Sequence, residues 1–289
     1  MITRPSDLRA QAETASAHLP ALMLSAERLA AMIAPGAHGL RRAGTGEDFW
    51  QYRPAGIGDG SRNIDWRRSA RSDAQFVRDQ EAQTAQTAQI WLSPHAGMDF
   101  TGGDDRPTKS ATGRVLSLAL AMLLLRGGEK VGILGGPVGT GRLQADRMAA
   151  TLCAPATDTA FPEYDLRPNR RVIVIADFLD DPAWVQSFLT LAAATGVSGM
   201  LIQLLDPDEE SFPFEGAIEF RDPTGTTRHH SRDAGGLRGE YLQRLAARRD
   251  WLRQQAGQAG WQFDHYLTSQ DPAHVLGRIW ALLGVGGLR

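Results

Sequence analysis

Hydrophobic residues change their spacing near residue 87. Beyond it, short apolar runs such as Val172-Ile173-Val174-Ile175 and Met200 to Leu205 are separated by longer amphipathic stretches. A strand that is apolar on both sides needs both faces covered, which is the condition of a parallel sheet alternating with helices. This pattern predicts strands at Thr87 to Leu92, Lys130 to Leu134, Arg171 to Ala176, Met200 to Leu205 and Trp261 to Leu267. Between them it predicts helices at Ser110 to Arg126, Leu143 to Leu152 and Leu237 to Gln255, with Gly127-Gly128 stopping the first. Asp181-Pro182 and Asp271-Pro272 each combine an N-cap with a first-turn proline, opening one helix that runs to Ala194 and a last one near the end. Ala217 to Phe220 and Thr226 to His230 predict a hairpin, and Gly136 to Gly141 a turn.

The first 80 residues read differently. Ser6 to Ile33 carries leucines among charges and predicts one or two short helices, interrupted at Pro20. Gly44 to Arg78 interleaves Phe49, Trp50, Tyr52, Trp66 and Phe76 with Asp48, Arg53, Asp59, Arg62, Asp65, Arg67 and Arg71. Aromatic rings favour burial, and charges beside them must then be paired. The segment therefore predicts a compact β-rich unit, with strands at Asn63 to Trp66 and Ala74 to Val77 and a glycine turn at Gly56, Gly58 and Gly60. Gly46, Phe49, Arg53, Asp59, Arg62, Asp65, Trp66 and Arg71 form its expected network of aromatics and Asp/Arg pairs. Residues 1–80 would make this N-terminal part, and residues 81–289 the α/β domain.

Composition narrows the function classes. The 289 residues are 42% hydrophobic with a formal net charge of -2, and no basic stripe stands out to bind nucleic acid. The longest apolar run, Val115 to Leu125, is far shorter than the ~20 residues of a bilayer span, so no membrane insertion is expected. The N-terminal residues lack the apolar core of a secretory signal, which predicts a cytoplasmic protein, and the single Cys153 fits a reducing compartment. Two nucleotide motifs are approached without being completed. Gly44-Thr45-Gly46 has Phe49 in the third glycine's place, and Gly136 to Gly141 is followed by Arg142-Leu143 where Lys-Ser/Thr would hold phosphate.

The residues Gly44-x-Gly46-x-x-Phe49, Tyr52-Arg53, Gly58-Asp59, Arg62-x-Ile64-Asp65-Trp66-Arg67 and Ser69-Ala70-Arg71 resemble the signature of the bacterial domain of unknown function 58 family. That resemblance implies a von Willebrand factor A-like α/β domain after the signature. It also implies a partnership with a MoxR-type AAA+ ATPase, and with other von Willebrand A proteins, without an established catalytic activity. Such domains commonly hold magnesium on an Asp-x-Ser-x-Ser loop, a threonine and a later aspartate. Here Ser93, His95 and Gly97 take the three loop positions, while Asp177 and Thr108 or Ser110 match the other two. A hard cation has lost its nearest charged oxygen ligand, so neither metal nor other cofactor is expected.

The reading that results is a non-enzymatic adaptor or assembly factor, with Ser93, His95, Gly97, Thr108, Asp177 and Asp180 lining a partner-binding rim. Two alternatives stay open. The first is a magnesium-dependent ligand-binding domain, and the second a hydrolase using Ser93, His95 and Asp177. His229-His230 offers no metal site, because neighbouring strand residues face opposite ways.

Overall fold

The computed structural model describes residues 23–33, 40–44, 48–56, 64–70, 75–84, 86–154, 166–221 and 228–285. Residues 23–31 form helix α1. Strands β1 (Leu40–Gly44), β2 (Asp48–Pro54) and β3 (Phe76–Thr84) make an antiparallel sheet in the order β1-β3-β2, with the short helix α2 (Trp66–Ser69) beside it. β3 continues through Thr84, so this sheet reaches past residue 80. The strand expected over Asn63 to Trp66 is instead a single bridge, Ile64 to Val77, followed at once by α2. Asp65 explains the change: its carboxylate caps the backbone N–H groups of Arg67 and Arg68, which turns the chain into a helix.

The second sheet is parallel throughout, in the order β10-β7-β6-β4-β5. Its strands are β4 (Thr87–Leu92), β5 (Lys130–Ile133), β6 (Arg170–Ala176), β7 (Ser198–Leu205) and β10 (Gln262–Leu267). Helices α3 (Lys109–Arg126), α4 (Gly141–Cys153), α5 (Ala183–Thr195), α6 (Pro207–Ser211), α7 (Arg238–Gln258) and α8 (Pro272–Val285) fill the intervals. The small hairpin of β8 (Ile218–Arg221) and β9 (Arg228–Ser231) stands apart from both sheets. It pairs Phe220 with His229 and Glu219 with His230, so the two histidines face opposite ways as expected.

Each buried strand feeds two cores. Ile173 and Ile175 pack with Leu116, Leu120 and Leu123 of α3 and Leu276 and Ile279 of α8. Val172 and Val174 pack on the other face with Phe188 and Leu189 of α5 and Leu252 of α7. The apolar run in α3 is buried from Leu116 to Leu124, a helix enclosed on every side by its neighbours. Among the described residues no helix is long and apolar enough to cross a membrane. The glycine segment after β5 folds back so that Val131 and Gly139 exchange two backbone hydrogen bonds, with Gly135 and Gly141 at positive φ. It is a turn, not a phosphate loop.

At the amino end of the sheet, Glu129 precedes β5 and Arg171 is the second residue of β6, both buried. Both Glu129 oxygens and Arg171 Nη1 lack a hydrogen-bond partner among the described residues. Burial pushes the Glu129 carboxyl from its ordinary 4.5 up to about 7, against the attraction of Arg171. A raised carboxyl contributes stability that is fully present below pH 4.5 and lost as pH rises through about 7. A rise of that size corresponds to roughly 3 kcal/mol. Glu129→Gln should flatten the stability profile over that window, measured by denaturant unfolding at successive pH values.

Candidate functional site at the carboxyl rim of the parallel sheet

β4, β6 and β7 are neighbours in parallel register, so Ser93, Asp177 and Asp206, each the first residue beyond its strand, emerge on one rim. Ser93 N–H donates to Ile175 O at 2.8 Å, extending the register of β4 and β6 to that edge. α3 starts at the same rim, and its first residue, Lys109, is 0% exposed. The ammonium Nζ lies 2.9 Å from Asp177 Oδ2 and 2.5 Å from Glu209 Oε1. A cation at the first turn of a helix opposes the helix dipole, so the two carboxylates supply the compensation that the helix cannot.

Glu209 is itself fixed by α6. Its Oε2 accepts from the Asp206 N–H at 2.9 Å, while Asp206 Oδ1 accepts from the Asp208 N–H at 2.8 Å, a reciprocal capping box with Pro207 in the first turn. Burial raises the Glu209 carboxyl above its ordinary range, and Lys109 opposes that rise. Tyr241 on α7 donates to Glu209 O at 2.7 Å, and burial, reinforced by Glu209 and Glu210, pushes its phenol up to about 12.

Asp177 is tied from the other side. Its backbone carbonyl accepts from Gln203 Nε2 at 2.9 Å, and Gln203 Oε1 accepts from Arg249 Nε at 2.9 Å. The Arg249 guanidinium makes a forked contact with Glu210, one arm at 2.7 Å, and holds that carboxyl below its ordinary range. Charged and amide groups thus connect α3, β6, β7, α6 and α7 without a break. The residues after the two carboxylate-bearing segments, Phe178 and Phe212, have φ of 53° and 48°. Bulky aromatics seldom adopt the left-handed region, and here the surrounding packing enforces it. Phe178 stacks on Trp184 with ring centres 5.7 Å apart.

Four of the expected rim residues converge. Ser93 Oγ accepts from the His95 N–H at 3.3 Å, and His95 Nδ1 accepts from the Gly97 N–H at 3.1 Å. A Cβ on Gly97 would lie 2.9 Å from Asp177 Oδ2 and 3.0 Å from His95 Nδ1, so only glycine fits without displacement. Thr108 caps α3, its Oγ1 accepting from the Ala111 N–H at 3.1 Å, and is the residue before Lys109. Asp180 turns to Trp184 Nε1, at 3.1 and 3.2 Å, and burial raises its carboxyl. Ser93, His95 and Asp177 do not make a proton relay: the imidazole Nδ1 is used by Gly97 N–H and Asp177 Oδ2 by Lys109. Among the described residues, no three His, Cys, Asp or Glu side chains are grouped to hold a metal.

Part of the expected signature network lies among the described residues. Asp65 accepts from Tyr52 OH at 3.1 Å as well as capping α2. Trp66, expected inside, is 58% exposed because it is the first residue of the capped helix. Charge meets aromatic surface through Arg68, whose guanidinium lies 4.3 Å from the Tyr52 ring centre and 5.3 Å from that of Phe76. Phe49 and Arg53 belong to β2, opposite Gln80 and Val77. Gly46, Asp59, Arg62 and Arg71 lie outside the described residues.

Sequence reasoning missed Lys109 and Glu209. The signal for the first was available: the chain has two lysines, and one stands where a helix would begin, the end that repels cations. Asp206-Pro207-Asp208-Glu209 equally has the spacing of a capping box. Lys109→Met should destabilise the fold by about 3–5 kcal/mol in chemical denaturation, since two buried carboxylates lose their shared counter-charge. Gly97→Val should weaken the same node by displacing Asp177, seen as a lower melting temperature.

Comparison with known proteins places the chain among relatives of unknown activity. Uncharacterized proteins Rv1480 of Mycobacterium tuberculosis and Mb1516 of Mycobacterium bovis are each 28% identical over 218 residues, covering 68% of this chain and 66% of theirs. The alignment thus spans just under two thirds of these relatives. Solved structures of an aerotolerance-related membrane protein from Bacteroides fragilis and of the conserved hypothetical protein BatB from Bacteroides thetaiotaomicron align at 14% identity. They cover 70% of this chain and 100% of each structure, with TM-scores of 0.41 and 0.39. The family model described as protein of unknown function DUF58 matches residues 51–250, spanning β2 to α7 and the entire Lys109 node, and the chain belongs to that family.

Proposed function

We propose that this protein is a non-enzymatic interaction domain, a von Willebrand A-like adaptor or assembly factor that works in the cytoplasm with a MoxR-type AAA+ ATPase. Other von Willebrand A proteins would be further partners. Chemical energy would come from the ATPase, and this chain would contribute a shaped surface. The observation that carries the reading is the form of the rim. Its polar interior is ion-paired and tied down, while Phe100 and Leu179, 37% and 39% exposed, stand beside it.

These two side chains are anchored to the node through the backbone. Phe100 N–H donates to Gly97 O at 3.2 Å, and Leu179 N–H donates to Asp177 Oδ1 at 3.4 Å. Asp99, Asp104, Asp105 and Asp181, all exposed, stand within a few residues of them along the chain. That is the composition of an interface with an apolar centre and a polar rim, and it suits a basic partner surface. A rigid support under such residues lowers the ordering cost of binding.

Capture of a purified MoxR-type ATPase from the same organism tests the reading. Phe100→Asp and Leu179→Asp should each weaken capture about tenfold or more while leaving the melting temperature nearly unchanged. Absence of binding by the unaltered protein, with and without ATP, would refute it.

A further inference from the structure

We infer that Lys109 is a tethered cation, standing where a von Willebrand A-like domain would hold magnesium, and that it keeps the rim closed without any divalent ion. The inference rests on the proposed von Willebrand A-like reading and adds to it how the site is controlled. Magnesium in such a rim needs oxygen ligands at ~2.0–2.1 Å in octahedral array. The residues here do not fit that need. The three loop positions hold Ser93, His95 and Gly97, and the one aspartate beyond β6, Asp177, already meets Lys109 Nζ at 2.9 Å. Glu209 meets the same ammonium at 2.5 Å.

A second cation seated beside an ammonium that is 0% exposed would be repelled at close range, with little water to screen it. The loop backbone at Gly97 also closes on the same oxygen, so that a Cβ there would lie 2.9 Å from Asp177 Oδ2. The ammonium performs the two tasks of a bound metal. It neutralises Asp177, and it joins the segment after β6 to α6 after β7 through Glu209. Unlike a metal it is attached to the chain, so its occupancy depends on neither ion concentration nor chelators. Being fully covered, it also offers no coordination position to a partner's carboxylate. Recognition must therefore use the surface around it, independently of divalent ions.

Removing the ammonium should uncover what it replaces. Asp177 and Glu209 would then face a space left by a lysine side chain, with the Ser93 region alongside. Titration of the full chain with Mn2+ and Mg2+, followed by calorimetry and by melting temperature, tests this. The unaltered protein should show no divalent binding and no shift in melting temperature. Lys109→Ala should melt lower, bind Mn2+ with Kd on the order of 10⁻⁴–10⁻³ M, and recover stability as the ion is added. The double variant Lys109→Ala with Glu209→Gln should lose that recovery.

Two results would overturn the inference: divalent binding by the unaltered protein that Asp177→Asn removes, or a folded Lys109→Ala that ignores both ions. Should Lys109→Ala fail to refold with or without Mn2+, the comparison of unaltered protein with Asp177→Asn decides. A divalent response there counts against the inference and its absence for it. These titrations use no partner, so their failure leaves the proposed ATPase interaction standing, and loss of that interaction leaves them unaffected.

Discussion

Taking an ammonium out of water costs several kcal/mol, and the cost is recovered only where carboxylates meet it in good geometry. Lys109 is met by two, held on segments that leave different strands. Neither carboxylate is free to move. Glu209 spends its second oxygen on the cap of α6, and the Asp177 backbone is held by Gln203, which Arg249 holds in turn. The carboxyl rim owes its shape to this chain of contacts: α3, α6 and α7 approach β6 and β7 at positions that keep the charges paired.

Several odd features of the rim follow from that constraint. Gly97 must be glycine because a side chain would strike the Asp177 carboxylate. Phe178 and Phe212 accept a backbone conformation that costs on the order of 1–3 kcal/mol each, and each follows a segment that carries one of the lysine's carboxylates. Strain of this kind persists where packing overdetermines the backbone. Its result is a stiff platform on which Phe100 and Leu179 remain at the surface.

The two ends of the sheet manage buried charge in opposite ways. At the carboxyl end each charge finds hydrogen-bonded partners. At the amino end, among the described residues, both Glu129 oxygens and one Arg171 nitrogen are buried without hydrogen-bond partners, and the carboxyl responds by holding its proton to about pH 7. The second arrangement couples stability to pH just below neutrality.

Apolar periodicity located every strand of the parallel sheet and helices α3, α4 and α7, because burial leaves a signal within each element, while α5 and α8 were marked by their Asp-Pro starts and the short α6 was missed. Val172 to Ile175 reads as central from its own four residues. Ser93, His95, Gly97 and Asp177 were legible as rim residues for the same reason, since the ends of parallel strands share one edge. The partner of Asp177 was not legible. Lys109 and Glu209 are 100 residues apart, and Lys109 and Asp177 are separated by 68. No local pattern reports which distant charges will meet. Asp65 and Trp66 show the reverse limit, where a local cap overrode an expectation of strand and burial. Sequence determined the elements and the edge at which they end, because those depend on near neighbours. Tertiary structure decided which charge is buried against which, because that depends on how helices from distant parts of the chain are brought over one rim.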